Sequence, residues 1–308
     1  MSVSDTIQLE KNSMEKYIRG KTDTLSQLAR SGTKGITTQT KEDMWIQHTQ
    51  SWHSKKLHGQ FPKTVEENDS RRSWKWLQCD IKGETEGLIT AAQDQCLSTN
   101  NYRRNILHDN INSKCRLCNQ AEETINHIVS ECPNLAKKKY MERHNNVARV
   151  VHWEICKQFG IPTSQQWYRH RPEDQKVTEN TKAKILWDFN IQTDNVITHR
   201  RPDIVVINKQ KKETIIIDVA VPADIRVEKK EVEKIEKYTD LKVELQRVWR
   251  TKVKIVPVVI GALGTVSKRH HKHLQAAEIG NTERRLQKAT ILGTAHILRR
   301  VLDTSACE

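Results

Sequence analysis

Residues 201–222, RPDIVVINKQKKETIIIDVAVP, contain two short apolar runs on either side of a polar, lysine-rich segment. The runs IVVI and TIIID are rich in β-branched residues and continuously apolar, so we expect two buried strands. Asp203 opens the first run and Asp218 closes the second. If the runs pair as a hairpin across NKQKK, the two carboxylates lie near the same end of adjacent strands.

The segments around this hairpin predict a small mixed α/β domain. KILWDFNI precedes it as another strand candidate, and KVKIVPVVIGALG follows it. The intervening EKKEVEKIEKYTDLKVELQRVW has helical spacing, and TERRLQKATILGTAHILRRVL predicts a last helix. Pro133 and FGIP bracket a long helix from Ala136 to Gly160. The segment from 161 to 182 is polar and loop-like. The order predicts a mixed α+β domain over residues 136–308.

Composition indicates a nucleic-acid partner. The chain has 308 residues and a formal net charge of +14, a balance typical of proteins that bind a polyanion. Anionic membrane is the alternative partner, but no apolar run is long enough to span a bilayer. No apolar segment near the N-terminus predicts a secretory signal. Seven cysteines in such a chain indicate a reducing, intracellular location and metal ligation rather than disulfides.

The N-terminal part of the chain is polar and basic. In residues 1–64 we expect a region that is helical or partly disordered, with helices at TIQLEKNSMEKYIRG and at KEDMWIQHTQSWHSKKLHG, which carries Trp45 and Trp52. Residues 65–110 predict a helical linker. One helix face there is traced by Leu88, Ala91, Ala92, Gln95, Cys96 and Thr99. The linker mixes basic and aromatic residues, which suits base stacking and phosphate contact. A packed helical hairpin is an equal alternative.

The block CRLCNQAEETINHIVSEC, within residues 111–135, has the spacing of a metal site. Cys115 and Cys118 are separated by two residues, and His127 and Cys132 follow at ligand-like intervals. Three thiolates and one imidazole form a closed shell, which is typical of structural zinc. The alternative is incidental cysteines beside a core histidine. By contrast, HHKH at residues 270–273 predicts a solvated basic loop rather than a metal site.

Asp203 and Asp218 are candidate ligands of a second kind of metal. Two carboxylates held close together repel each other unless a cation lies between them, and oxygen ligands suit Mg²⁺ and Mn²⁺. Lys230, Lys234 and Lys237 recur at helical spacing just after Asp218, so a lysine on that face can reach the acids. Taken singly, each acid is also explained as a turn or strand-end residue, and each lysine as part of a solvated helix.

The pattern PDIVV followed by IDVAVP resembles the PD-(D/E)xK nuclease superfamily. KIEKY is similar to the displaced lysine motif in the restriction-like endonuclease of non-LTR retrotransposon polyproteins. In those proteins a CCHC zinc knuckle stands just upstream of the nuclease, at the C-terminal end of the reverse transcriptase. The resemblance covers roughly residues 65 to 305, and it implies a PD-(D/E)xK core that nicks DNA to prime reverse transcription.

The resemblance implies a role for each matching residue. Asp203 and Asp218 match the two acids that bind Mg²⁺ or Mn²⁺. Lys234 or Lys237 matches the catalytic lysine, and Tyr238 matches the tyrosine beside it. Cys115, Cys118, His127 and Cys132 match the zinc ligands.

Two departures from the family pattern stand out. Ala220 occupies the position where the standard motif has lysine, so the lysine must come from the helix. Glu154 is a candidate for the further acid often found on the first helix of the superfamily. No YxDD-type polymerase motif occurs, so we expect a C-terminal fragment or truncated copy without its polymerase.

The sequence thus predicts a metal-dependent DNA endonuclease of retroelement origin. Two alternatives remain: a nucleic-acid-binding module without cleavage activity, and a decayed copy without function. The expected partner is DNA, with RNA as an alternative, and neither a membrane nor a small-molecule cofactor is expected. A nuclear location is inferred from the partner alone.

Overall fold

The structure is a computed structural model that describes residues 32–55 and 57–303. The chain divides into two compact units, residues 1–56 and 57–308. In the first unit, helix α1 spans Gly32–His53, which confirms the helix expected around Trp45 and Trp52. Both tryptophans are exposed on it. The helix predicted at TIQLEKNSMEKYIRG lies outside the described residues.

The second unit is built on one five-stranded sheet with the strand order β1-β2-β3-β4-β5. The strands are β1 Val177–Glu179, β2 Ala183–Trp187, β3 Ile204–Asn208, β4 Glu213–Ala220 and β5 Lys252–Val259. The first four are antiparallel neighbours, whereas β5 runs parallel to β4. A parallel neighbour requires a crossover connection, which the helices between β4 and β5 provide.

Helices surround this sheet. The α-helices are α2 Gln60–Glu67, α3 Ser70–Ser73, α4 Gly83–Gln93, α5 Asn100–Asn105, α6 Pro133–Leu135, α7 Met141–Phe159, α8 Val227–Lys237, α9 Thr239–Trp249, α10 His270–Ala276 and α11 Glu283–Leu302. Short 3-10 helices span Lys75–Gln78, Trp167–Arg169, Asp224–Arg226 and Gly280–Thr282, and π-helical turns span His127–Glu131 and Ala136–Tyr140. The fold is therefore mixed α/β, as the sequence predicted.

The central strands are apolar on both faces because both faces are covered. Alternate residues of β4 point to opposite sides, so Ile215 and Ile217 pack with α7, whereas Ile216 packs with α9 through Leu241 and Leu245. A strand that is buried on both faces needs a continuous apolar run rather than an alternating one. This explains why TIIID and IVVI lack the alternation of a half-exposed strand.

A second hydrophobic core joins the cysteine-rich segment to the end of the chain. Its members come from α2, α4, the segment 115–135 and α11, among them Phe61, Ile89, Ile128 and Leu298. The segments predicted as a helical linker, a zinc knuckle and a nuclease domain therefore contribute to one hydrophobic core. The domain boundaries expected between them remain predictions.

Arg143 links three parts of this unit. Its guanidinium is buried and donates hydrogen bonds to the Val129 carbonyl at 2.7 Å, to the Thr294 hydroxyl at 2.9 Å and to the Val221 carbonyl at 3.4 Å. These acceptors lie beside the cysteine cluster, on α11 and just after β4. Because a buried cation without partners is very costly, loss of these acceptors would destabilise the whole unit.

Several local expectations were wrong. HHKH is not a solvated loop but the start of α10, with His270 fully buried. The face expected from Leu88 to Thr99 is only partly correct: Ala92 and Thr99 are buried, but α4 ends at Gln93, it also buries Ile89, and Cys96 is exposed. Gln95, two residues beyond this helix, has a left-handed backbone, which cannot continue an α-helix.

One further expectation was wrong, and one open alternative is decided by the packing. The segment 161–182 was expected to be loop-like, yet it contains β1. In the basic, aromatic part of the linker, Trp76 is buried and Trp74 packs edge-on against Phe61 with ring centroids 5.7 Å apart. For these two tryptophans the packed alternative is correct.

Candidate functional site

The two predicted acids lie opposite each other at one end of the hairpin. β3 and β4 are antiparallel with Ile204 opposite Ile217, so Asp203 comes opposite Asp218 in the same register. Asp203 accepts a 2.6 Å hydrogen bond from the backbone amide of Val219, the residue after Asp218. The hairpin geometry predicted from the sequence is confirmed, and the backbone itself fixes the spacing of the acids.

Asp218 is the centre of a buried cluster with the lysines of α8. The ammonium of Lys234 contacts Asp218 Oδ2, and that of Lys237 lies 3.7 Å from Oδ1. The Tyr238 hydroxyl donates a 2.5 Å hydrogen bond to Oδ1. Lys234 and Tyr238 are four residues apart and Lys237 follows Lys234 by three, so one helix face presents all three groups.

Tyr238 acts as a hydrogen-bond donor in this cluster. Burial, followed by the negative charge of Asp218, raises the pKa of Tyr238 above its ordinary value. The hydroxyl therefore keeps its proton at physiological pH, and it orients Asp218 rather than accepting a proton from a substrate.

Asp203 has a partner that the sequence did not indicate. His144, on α7, places Nε2 3.2 Å from Asp203 Oδ2 and 3.2 Å from the Val219 carbonyl oxygen. Burial alone would raise the pKa of Asp203, but the hydrogen bond and charge of His144 lower it overall. Burial would lower the pKa of His144, but the hydrogen bond and charge of Asp203 raise it to about 9. The pair is therefore ionised at neutral pH.

An open cleft of about 970 Å³ gives access to this cluster. Its walls come from the start of α7, from the ends of β2, β3 and β4, and from α8. The basic residues that line it are Lys176, Arg201, Arg226, Lys229, Lys230, Lys234 and Lys237, and the acidic ones are Glu131, Glu173, Asp188, Asp203, Asp218 and Glu233. Several of the acids are ion-paired, as Asp188 is with Arg201 at 2.6 Å. The cleft thus combines a carboxylate centre with a cationic wall on α8.

Two residues singled out in the sequence have other surroundings. Ala220 packs against Val227 and Val259 and lines the cleft, where it offers a methyl group rather than an ammonium. Glu154 lies further along α7, where it forms an ion pair with Arg285, and it does not line the cleft. The side chain that α7 brings to Asp203 is that of His144, nearly three turns before Glu154.

The acids fit a hard divalent cation in their chemistry. Asp218 Oδ2 is buried and makes no hydrogen bond to the described residues, and the ammonium of Lys234 contacts it. Carboxylate oxygens from two adjacent strand ends are the ligands that Mg²⁺ and Mn²⁺ prefer. Asp203 and Asp218 would hold such an ion, with Lys234 moving away from Oδ2.

The cysteine-rich segment forms a second centre that could hold a metal ion. One ligand atom from each of Cys115, Cys118, His127 and Cys132 lies within 4.8 Å of the other three. Cys115 Sγ is 3.9 Å from Cys132 Sγ, and Cys118 Sγ is 3.3 Å from His127 Nε2. In a tetrahedral zinc site the corresponding separations are about 3.8 Å and about 3.5 Å, from ordinary zinc–ligand bond lengths. These two separations therefore match those of a tetrahedral zinc site.

Backbone amides favour the thiolate form of Cys118, whereas burial raises the pKa of Cys115 above its ordinary value. Burial would raise the pKa of Cys118, but hydrogen bonds from the amides of Gln120 and Ala121 lower it to about 6. The Leu117 amide lies 3.4 Å from Cys115 Sγ. Thiolates are the form that ligates metal, and amide donors stabilise their charge. Burial raises the pKa of Cys132 to about 12, so that thiol loses its proton only when a metal binds.

An ion pair inside the cysteine-rich segment positions Arg116, which in turn contacts the terminal helix. Glu123 is fully buried and accepts the Arg116 amide at 2.7 Å, and Arg116 Nη2 contacts Glu123 Oε1 at 2.7 Å. Arg116 also donates to the carbonyl of Val301 on α11. The cysteine-rich segment is thus held against the terminal helix.

No family model and no curated protein matches this sequence. No helix in residues 32–55 and 57–303 has both the length and the apolar character needed to cross a membrane. Function is therefore inferred from the geometry of the two centres.

Proposed function

We propose that the chain is a metal-dependent DNA endonuclease with a PD-(D/E)xK-like site, of the kind found in non-LTR retrotransposon polyproteins. One observation carries the proposal: Asp203 and Asp218 lie opposite each other at adjacent strand ends, and Lys234 reaches Asp218 from the following helix. The lysine absent at Ala220 is thereby supplied from α8. The chain's positive charge, +14, agrees with a phosphodiester substrate.

Each residue of the cluster has a distinct role in this proposal. An Mg²⁺ or Mn²⁺ ion held by Asp203 and Asp218 would polarise the phosphodiester and lower the pKa of the attacking water. Lys234, freed from Asp218, stabilises the negative charge that develops on the phosphate. Lys237 adds to the cationic wall that binds the DNA backbone. Tyr238 orients Asp218, and His144 orients Asp203.

We further propose that Cys115, Cys118, His127 and Cys132 bind one structural zinc ion. A closed set of four protein ligands leaves no position for a substrate, which is typical of a structural role. Metal binding would stabilise a segment that forms few regular elements of its own. The expected partner remains DNA, with RNA as an alternative, and the nuclear location remains a prediction from that partner.

Nicking of supercoiled plasmid tests the proposed activity. The wild-type chain is expected to convert supercoiled to open-circular DNA with Mg²⁺ or Mn²⁺ and to be inactive with chelator. Asp203→Asn should abolish conversion without loss of DNA binding, measured in parallel by fluorescence anisotropy. Wild type that binds DNA and never cuts it favours the alternative of a binding module without nuclease activity.

Salt dependence separates both nucleic-acid functions from a chain without function. Phosphate contacts release counterions, so the logarithm of the binding constant should fall linearly with the logarithm of salt concentration. A flat response contradicts nucleic-acid binding of either kind.

A further inference from the structure

A cluster outside the cleft and the cysteine-rich segment has the composition of a metal site. His152 and Cys156 stand one turn apart on α7, and His170 approaches them from the segment that follows. One ligand atom from each of the three lies within 4.8 Å of the other two. The roles assigned to the other two centres make no use of these residues.

The ligand atoms converge on His152 Nδ1. This atom lies 2.7 Å from His170 Nε2 and 3.4 Å from Cys156 Sγ. In a tetrahedral zinc site the nitrogen–nitrogen separation is about 3.3 Å and the nitrogen–sulfur separation about 3.5 Å. The Cys156 sulfur is therefore already at the distance expected between two ligands of one zinc ion. The two imidazoles instead share a hydrogen bond, which an ion would replace once the rings move apart by about half an ångström.

The surroundings hold the two imidazoles in place. The His152 and His170 rings stack with their centroids 5.0 Å apart. The His152 ring is held edge-on against Trp187, with centroids 5.6 Å apart.

A carboxylate lies next to this cluster with one oxygen unused. Glu173 Oε1 accepts a 2.7 Å hydrogen bond from Arg149, whereas Oε2 is buried without a hydrogen-bond partner among the described residues. Carboxylates next to ligating histidines commonly accept the second ring N–H and raise the basicity of the ligand.

We propose that His152, Cys156 and His170 form a second transition-metal site, which takes a Zn²⁺-class ion and fastens the segment 161–176 to α7. Two imidazoles and one thiolate suit such an ion, with water in the fourth position. On binding, the Cys156 thiol gives its proton to solvent, and the proton shared by His152 Nδ1 and His170 Nε2 moves to the other nitrogen of its own ring. The sulfur and the two freed nitrogens then bond to the metal. No oxidant or reductant takes part.

The position of the site gives it a structural consequence. The segment 161–176 contains one short 3-10 helix, Trp167–Arg169, and contributes Glu173 and Lys176 to the cleft wall. Metal binding offsets the entropy cost of ordering such a segment. The ion would therefore hold one wall of the cleft at a fixed distance from α7.

Metal stoichiometry of the full chain tests the proposal without reference to cleavage. Protein loaded with zinc and passed over a chelating resin is analysed by plasma mass spectrometry. We expect two zinc ions per wild-type chain, and one in His170→Ala, in Cys156→Ser and in Cys118→Ser. His199→Ala, which replaces an exposed histidine elsewhere, should keep two. His170→Cys, which restores a ligand, should also keep two.

The remaining outcomes separate this site from the cysteine-rich one. If wild type binds one zinc ion, and that ion is kept in Cys118→Ser but lost in His170→Ala, the proposed site is supported even though the cysteine-rich centre binds nothing. The proposal is overturned if wild type binds one zinc ion and His170→Ala also binds one. It is equally overturned if His170→Ala and Cys156→Ser both bind two zinc ions. Cobalt in Cys118→Ser gives a second readout, since its thiolate charge-transfer absorption should vanish in Cys118→Ser/Cys156→Ser.

Discussion

Asp203 Oδ2 and the backbone amide of Val219 are joined by a 2.6 Å hydrogen bond, which ties one strand-end acid to the residue next to the other. The two carboxylates are thus positioned by the β3–β4 register rather than by flexible loops. Rigid elements hold catalytic groups more precisely than loops do. The helix that follows β4 adds the lysines, so three consecutive elements of the chain assemble the centre.

Replacement of Lys234 should impair cleavage more than replacement of Lys237. Lys234 contacts Asp218 directly and is the more buried of the two, whereas Lys237 lies 3.7 Å away. Loss of one group that stabilises developing charge typically costs about 10²-fold in rate. We expect a decrease of that order for Lys234→Ala in single-turnover nicking at saturating DNA, and a smaller one for Lys237→Ala.

Lys242→Ala is the matched control, because Lys242 lies on α9 outside the cleft. Its rate should equal that of wild type. Equal rates for Lys234→Ala and Lys242→Ala would contradict the role assigned to Lys234.

Removal of metal from the cysteine cluster should destabilise the second core. Ile125, Ile128 and Val129 are fully buried beside the ligands. Because metal-binding free energy becomes folding free energy, we expect Cys118→Ser or a zinc chelator to lower the free energy of unfolding by at least about 3 kcal/mol. Chemical denaturation with intrinsic tryptophan fluorescence measures this. Cys96→Ser, at an exposed thiol, should change little, and an unaltered midpoint after chelation would argue against bound zinc.

Gly261→Ala should be strongly destabilising. A Cβ at this position would lie 3.1 Å from Asp224 Cα and would overlap the Asp224 carboxylate. That carboxylate accepts hydrogen bonds from the amides of Leu263 at 3.0 Å and Thr265 at 3.1 Å, so it has little freedom to move. Overpacking in such a place costs about 2–3 kcal/mol.

Gly87→Ala should have the opposite effect on the stability of the protein. Gly87 lies inside α4, and a Cβ added at this position would have no neighbouring atom within 4 Å. Alanine there should stabilise the protein by about 0.5–1 kcal/mol, because glycine disfavours the helix interior. Thermal unfolding of the two variants tests both signs. If Gly261→Ala and wild type unfolded at the same temperature, the segment around Asp224 would be able to accommodate a Cβ at position 261.

Acid should destabilise the protein through His270. Burial, followed by the charges of His273, His271 and Arg72, lowers the pKa of this imidazole to about 3, and Asp69 opposes the shift only in part. The folded pKa is therefore below the unfolded value of about 6.5. The resulting stability is present above pH 6.5 and is lost as the pH falls, by about 1.4 kcal/mol per pH unit.

His270→Leu removes this titration. The difference in unfolding free energy between wild type and His270→Leu should be constant above pH 6.5, and it should shift in favour of the variant between pH 6.5 and about 4.5. Urea denaturation across this range measures the difference. A difference independent of pH would show that His270 is not held in its neutral form.

The sequence predicted the features that depend on local pattern. The hairpin follows from two β-branched runs around a polar turn, and the cysteine cluster follows from ligand spacing within 18 residues (Cys115 to Cys132). Lys234 and Lys237 were placed on the correct helix face because a helix repeats every 3.6 residues.

Features that depend on tertiary packing were not predicted. His144 and Asp203 are 59 residues apart, and no motif links them. β1 is three residues long and polar, and it forms only because β2 offers a free edge. His270 is buried because α10 packs against β5, which a basic run such as HHKH does not indicate. The cluster of His152, Cys156 and His170 likewise has no familiar spacing.

The most direct test of the central claim is the single-turnover nicking rate of wild type and Asp218→Ala on supercoiled plasmid, with Mg²⁺ and at equal DNA occupancy. The proposed site predicts that wild type cuts and that Asp218→Ala is slower by at least about 10²-fold, since the residue holds both the metal and Lys234. Equal rates in the two proteins would contradict the assignment of Asp218, and with it the nuclease site.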